Sequence, residues 1–340
     1  MGKTKRIPCT KPKEEVGAVL FKEDMKMSKA EILALQQEVD KLHAEKDALI
    51  TLRQKPKRVV IKPSKPGDSE ATAIVLFSDW HYEEEVRPAS VFGRNRYNVN
   101  IAAQRANECF AKTVRLLKKE KQDVAIKECI VGLLGDFITG NIHEENVETA
   151  QLQPVEAIIC VRNVLYEGIK YMLANTDVTF TFVCSAGNHS RITKKQRSAT
   201  EQGNSLEWFL YHQLANDFKS EKRVKFVLEE AYHTYVNVYG RVLRFHHGHN
   251  VKFGGGIGGL TIPLNKAIAQ WNSVFRADYD LLGHHHQYMI GPNYVVNGSM
   301  VGYNAYCIAI KAGFEKPKQA FMLLDKDRGM TVHIPIVFSV

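Results

Sequence analysis

Cysteine is scarce and scattered in this chain. The six thiols (Cys9, Cys109, Cys129, Cys160, Cys184 and Cys307) form no C-x-x-C pair, so the spacing writes in neither a thiolate zinc site nor a disulfide framework. Cys129 and Cys184 lie inside apolar, strand-like runs, where buried reduced thiols of a cytosolic protein are expected. No uninterrupted apolar run reaches the roughly 20 residues of a membrane span, so no membrane partner is expected. The first ten residues, MGKTKRIPCT, are basic but no apolar core follows them, which excludes a secretory signal. Gly254-Gly255-Gly256 with Gly258-Gly259 lacks a following Gly-Lys-Ser/Thr, which excludes a P-loop and leaves a mobile loop at the rim of a site. Internal repeats and low-complexity tracts are missing as well.

What is present suffices for a core. The chain has 340 residues, 44% of them apolar, enough for one large domain with an extension. A formal net charge of +9 admits anionic partners without choosing between nucleic acid and nucleotides.

Residues 1–66 differ from the rest. Ser28 and Glu31 form a capping box, followed by Ile32, Leu35, Val39, Leu42 and Leu49 at alternating steps of three and four, with Lys46 breaking the seam. This predicts a coiled-coil-like helical arm that packs on its own domain or self-associates. The linker from Arg53 to Ser69 carries Pro56, Pro63, Pro66 and Gly67 among Lys55, Lys57, Arg58, Lys62 and Lys65. It reads as a solvated tether or as a basic strap for a phosphate backbone.

Residues 67–340 alternate between the two periodicities. Strands are expected at 73–77, 128–134, 178–184, 224–228, 235–239, 242–246, 280–282, 294–296, 306–310, 320–324 and 331–338. Helices are expected at 101–121, at 155–173 with Pro154 in its first turn, and at 205–218. The pattern suggests an α/β fold: two mixed β-sheets packed as a sandwich, flanked by helices, with an N-terminal helical extension.

Five short stretches each follow a strand-like run and offer metal-binding side chains. They are Asp79-Trp80-His81, Gly135-Asp136, Gly187-Asn188-His189, His247-Gly248-His249 and Gly283-His284-His285-His286. In an extended segment Asp79 and His81 point to one side, as do His284 and His286, and Trp80 then faces the core. A carboxylate at Asp136 can bridge two cations, the Asn188 carbonyl suits a hard cation, and His189 is held beside the metals. Loops at the carboxyl ends of strands converge in α/β folds, which a two-metal cluster demands. His246, His249 and His285 flank these positions as supporting or surface groups.

As a set, these motifs resemble the signature of the calcineurin-like metallophosphoesterase superfamily, over residues 71–300. Val296-Asn297-Gly298-Ser299, Gly302-Tyr303 and the stretch from Asn98 to Arg105 further resemble phage-encoded members labelled DNA repair exonucleases. The resemblance implies that Asp79, His81 and His286 bind one metal, that Asn188, His247 and His284 bind a second, and that Asp136 bridges both. It implies that His189 is the general acid, and it favours Mn²⁺, with Fe, Zn²⁺ or Mg²⁺ as other divalent ions. Two cations about 4 Å apart lower the pKa of a shared water and neutralise the phosphate. The expected activity is therefore that of a binuclear phosphoesterase, a phosphodiesterase or nuclease acting on nucleic acid. Nucleotides, cyclic nucleotides or phosphoproteins are the other substrates, and an assembly protein with a vestigial site is the non-enzymatic alternative. Arg191, Lys194, Lys195 and Arg197 follow His189 and are expected to contact substrate phosphate. Thr139 stands where many relatives carry an acidic residue. The separate capping domain found in double-strand-break nucleases has no counterpart after His286.

Overall fold

A computed structural model of the chain describes residues 28–53, 69–254 and 259–339. Gly255, Gly256 and Gly258, the linker 54–68, the N-terminal basic residues and Cys9 lie outside the described residues. The chain divides into two units, Met1–Pro63 and Ser64–Val340. In the first, helix α1 (Lys29–Arg53) starts at the expected capping box. The Ser28 N–H donates to the Glu31 carboxylate at 2.8 Å and the Glu31 N–H to the Ser28 hydroxyl at 3.3 Å. Ile32, Leu35, Val39 and Leu42 are exposed on it; the side chain of Leu49 lies outside the described residues.

The second unit opens with β1 (Glu70–Phe77), α2 (Val99–Glu120), β2 (Ala125–Leu133), a short α3 (Glu144–Thr149), α4 (Pro154–Asn175), β3 (Thr179–Cys184), α5 (Leu206–Asp217) and β4 (Val224–Leu228). It continues with β5 (Thr234–Val238), β6 (Arg241–His246), α6 (Thr261–Asn272), β7 (Tyr279–Leu282), β8 (Met289–Ile290), β9 (Tyr294–Val296), α7 (Ala305–Ala309), β10 (Lys318–Asp325) and β11 (Gly329–Val337). Two mixed sheets result, in the orders β11-β10-β1-β2-β3-β4 and β5-β6-β7-β9-β8. In the first, β1 to β4 run parallel, and β10 is antiparallel to both β1 and β11. In the second, β6, β7 and β9 run parallel between antiparallel β5 and β8.

The alternation along β1 explains the sandwich. Ile74 and Leu76 point one way, into a core shared with Leu243, Phe245, Leu281 and Val295 of the second sheet. Ala73, Val75 and Phe77 point the other way, into a core with Phe110 of α2, Leu165 of α4 and Tyr211 of α5. A strand buried on both faces reads as one continuous apolar run, which is why its sequence lacks polar alternation. The expected fold class is what the structure has.

Two expectations fail. Residues 306–310 form helix α7, not a strand: the Asn304 side chain accepts the Cys307 N–H at 3.1 Å and nucleates a turn that the β-branched and aromatic residues alone disguise. Helix α6 is not among the expected helices, and it contains Pro263. It sits in the first turn, where its missing N–H costs no helical bond. Leu264 and Ile268 then pack on Leu282 and Val296, covering the outer face of the second sheet.

Candidate metal centre

The five stretches converge at the carboxyl ends of β1, β2, β3, β6 and β7. Asp79, His81 and His286 each offer a ligand atom within 4.8 Å of the others, and so do Asp136, His247 and His284. A third group, His81, Asp136 and His189, overlaps both, so Asp136 stands within reach of each cluster. Asn188 joins the second through its side-chain oxygen, 3.1 Å from Nε2 of His247. Each cluster therefore draws on loops of both sheets.

The backbone is unusual at these positions. Among the described residues, eight non-glycine residues have positive φ, and five of them are Asp79 (54°), His81 (45°), Asp136 (54°), His284 (71°) and His286 (54°). That region costs an L-residue free energy, and it collects where surroundings over-determine a functional geometry. It also corrects both extended segments expected above, Asp79-x-His81 and His284-x-His286. β1 ends at Phe77, and the chain then turns while the Asp79 N–H donates to the Gly135 carbonyl at 3.0 Å and the His81 N–H to the Asp136 carbonyl at 3.1 Å. Gly135 and Gly187 let the next two loops touch. A Cβ on Gly135 would lie 2.2 Å from the Gly187 nitrogen, and a Cβ on Gly187 would lie 2.2 Å from Asp136.

Imidazole nitrogens face one another across both clusters. Nε2 of His81 lies 3.1 Å from Nε2 of His286, and Nε2 of His247 lies 3.2 Å from Nδ1 of His284. Nδ1 of His247 donates to the Leu134 carbonyl at 2.6 Å, which fixes its tautomer and leaves Nε2 facing Asp136 at 2.9 Å. A cation bonded at about 2.1 Å to two neighbouring donors at a right angle holds them roughly 3 Å apart, so these separations match the edges of a coordination shell as well as the length of an N–H···N hydrogen bond. The mixture of imidazole, carboxylate and amide oxygen fits a borderline or hard divalent cation.

The charge balance agrees. Burial disfavours protonated His247, yet the Asp136 carboxylate beside it wins and lifts its pKa to about 9. Burial likewise opposes protonation of His286, but its contact with Asp79 raises it to about 10. Burial, His189 and His286 push His81 well down, and burial with His247 does the same to His284. A divalent cation held between these groups would take over the role of those two protons.

His189 stands at the edge. Its N–H donates to Asp136 at 2.8 Å, and its Nδ1 lies 2.8 Å from the Thr139 carbonyl. A carbonyl can only accept, so Nδ1 carries hydrogen and Nε2 is the nitrogen available for proton transfer. Thr139 also contacts Nδ1 of His81 at 3.3 Å. Trp80 is buried among Phe77, Phe110 and Phe137, as expected, and Tyr82 is buried too.

The expected substrate-binding residues split. Arg191 is engaged within its own loop, donating to the carbonyls of Asn188 at 2.5 Å and Thr193 at 3.2 Å, whereas Lys194, Lys195 and Arg197 are exposed. His246 is fully buried with Nε2 3.5 Å from Asp280, and Nε2 of His249 lies 3.1 Å from Glu201. Two buried carboxylates were not foreseen. Glu83 accepts the N–H groups of Thr139 and Gly140 at 2.8 and 2.9 Å. Glu207 accepts those of Phe137 and Gly187 at 2.6 and 3.0 Å, bracing the Asp136 and Asn188 loops together. Glu207 sits in the first turn of α5, where an acidic residue looks like ordinary helix chemistry.

A cavity of about 670 Å³ opens over the clusters, lined by His81, Asp136, Asn188, His189, His284 and His286, with Glu84, Glu145 and Glu148 on its wall. Among the described residues no helix is long and apolar enough to cross a membrane.

No protein-family model matches the chain, and no curated protein matches it. Among solved structures, a Streptococcus pneumoniae protein described as a predicted phosphoesterase overlaps 78% of this chain and 98% of its own at 11% identity, with a TM-score of 0.31. A dimetal phosphatase from Danio rerio overlaps 79% and 99% at 10% identity, with a TM-score of 0.35. A 5'-nucleotidase from Candida albicans overlaps 76% and 49% at 11% identity, with a TM-score of 0.32. Overlaps this loose decide neither chemistry nor substrate, which rest on the residues of the site.

Proposed function

We propose that the chain is a binuclear metal-dependent phosphoesterase, a phosphodiesterase acting on nucleic acid. The observation that carries this reading is the position of Asp136, whose carboxylate lies within 4.8 Å of ligand atoms of His247 and His284 in one cluster and of His81 in the other. Asp79, His81 and His286 would hold one divalent ion, Asn188, His247 and His284 the other, and Asp136 both. Mn²⁺ is the ion we favour. Such ions supply Lewis-acid stabilisation of the phosphate and an activated water.

The chain's own residues supply the rest. Hydrolysis forms a P–O bond to water and breaks the P–O bond to the leaving alcohol. Nε2 of His189 gives its proton to that departing oxygen, while the Thr139 carbonyl holds the other ring hydrogen and so the ring's orientation. The phosphate's negative charge favours the protonated ring beforehand. Lys194, Lys195 and Arg197 add cations on the His189 side. A second reading, hydrolysis of small phosphate esters, draws support from Glu84, Glu145 and Glu148, which repel a polyanion from the opposite wall.

A substrate panel tests both. Purified protein with Mn²⁺ is offered single- and double-stranded DNA, RNA, cyclic nucleotides and a chromogenic phosphodiester. Polymer cleavage is expected. Cleavage of the small esters alone replaces the nuclease reading with the second one, and no hydrolysis with two ions verified by elemental analysis overturns both.

A further inference from the structure

A second cavity of about 670 Å³ adjoins the reaction cleft, and His189 and His143 line both. Its character is different. Ile142, Val147, Val155, Ile192 and Leu206 line it, and the charged groups on the same lining are Arg191, Lys194 and Glu144. Val147, Val155 and Ile192 are 51%, 62% and 66% exposed, so three large apolar side chains from separate segments face solvent around one hollow. Exposed apolar surface gathered in a concavity is uncommon on a protein that has no use for it.

Its place relative to His189 says what belongs there. A general acid must touch the leaving oxygen, so the leaving alcohol's carbon skeleton extends past the imidazole, away from the ion clusters. Beyond the imidazole lies this hollow. Resting on the phosphodiesterase reading, we propose that the hollow is the leaving-group site and takes one nucleotide residue: its base lies against the apolar wall of Ile142, Val147, Val155 and Ile192, and its next phosphate meets Lys194. The volume suits one such residue, and an apolar wall with a cation beside it matches a flat, poorly hydrated ring joined to an anion. Arg191, held by two backbone carbonyls, stiffens the loop that carries Ile192 and Lys194.

Two measurements test it. The first is saturation-transfer NMR with thymidine 5'-monophosphate on the full chain in chelator. Transfer to the base protons is expected in the wild type and is lost in Ile192→Asp and Val155→Asp, whose exposed positions leave the fold intact, as thermal melting verifies. The second compares a dinucleoside phosphate with the two analogues that each lack one base. Removing the leaving-side base should lower kcat/KM about tenfold or more through KM in the wild type, and Ile192→Asp should erase that difference. No base contact, or a base preference that both variants retain, overturns the leaving-group site even if diesters are hydrolysed. Base contact without hydrolysis of any diester keeps the hollow as a nucleotide site and overturns the phosphodiesterase reading instead.

Discussion

Two buried polar clusters sit beside each other near the end of β6, and they solve the same problem in opposite ways. Arg244 donates to both oxygens of Asp280 at 2.6 and 2.9 Å, both side chains are fully buried, and the guanidinium stacks 5.1 Å from the Trp271 ring centroid. That cluster closes on itself. Just past the strand, His247 lies against His284 and His286 against His81, with ring nitrogens 3.2 and 3.1 Å apart. That cluster closes only around added positive charge. The difference teaches that burial of charge does not mark a site. Convergent metal-ligand side chains on a strained backbone do.

The comparison can be broken by removing one acid from each cluster. Asp136→Ala should lower activity by more than about 10³-fold and reduce the bound metal below two ions per chain, while the protein stays folded. Elemental analysis and melting curves read both. Asp280→Ala should do the reverse. Leaving Arg244 buried without its partner costs about 3–5 kcal/mol of stability, read by denaturant unfolding, while the protein that remains folded still takes up two ions. If the Asp280 variant folds normally but loses metal, the two clusters are one.

His189→Ala sharpens the boundary of the metal cluster. Turnover should fall by about 10²-fold or more with both ions retained. Lost ions would make His189 a ligand rather than an acid.

The smallest effect concerns Glu207, a buried carboxylate with no cation. Burial and then Asp136 raise its pKa to about 7, against the pull of the Gly187 and Phe137 N–H groups. The folded chain thus keeps a proton that the unfolded chain releases above the ordinary carboxylate range, so stability falls as pH rises from about 4.5 to 7. Glu207→Gln lacks that dependence. In chelator, the stability difference between the two proteins should move toward the variant by on the order of 1 kcal/mol between pH 5 and pH 7.5. A constant difference contradicts the assignment.

Much of this was legible in the chain, for definite reasons. Runs such as Ala73–Phe77 and Val178–Cys184 announce strands buried on both faces, and each is followed by a polar residue that a buried run does not need. Local periodicity could not show that Asn304 would cap a helix or that Pro263 would start one, since both depend on one hydrogen bond gained or not required. Nor could it reveal the left-handed turn at Asp79 or the brace at Glu207. Those come from contacts between loops distant in sequence.

The order in which the loops leave the two sheets has a last consequence. Asp79 comes early in the chain and its neighbour His286 late, and Asp136 likewise waits for His247 and His284. Neither the first nor the second half of the polypeptide owns a finished cage. The cluster of Asp136, His247 and His284 therefore closes only once β7 has docked beside β6, and ion uptake there would act as a time stamp for that step rather than for the later pairing of β10 with β1.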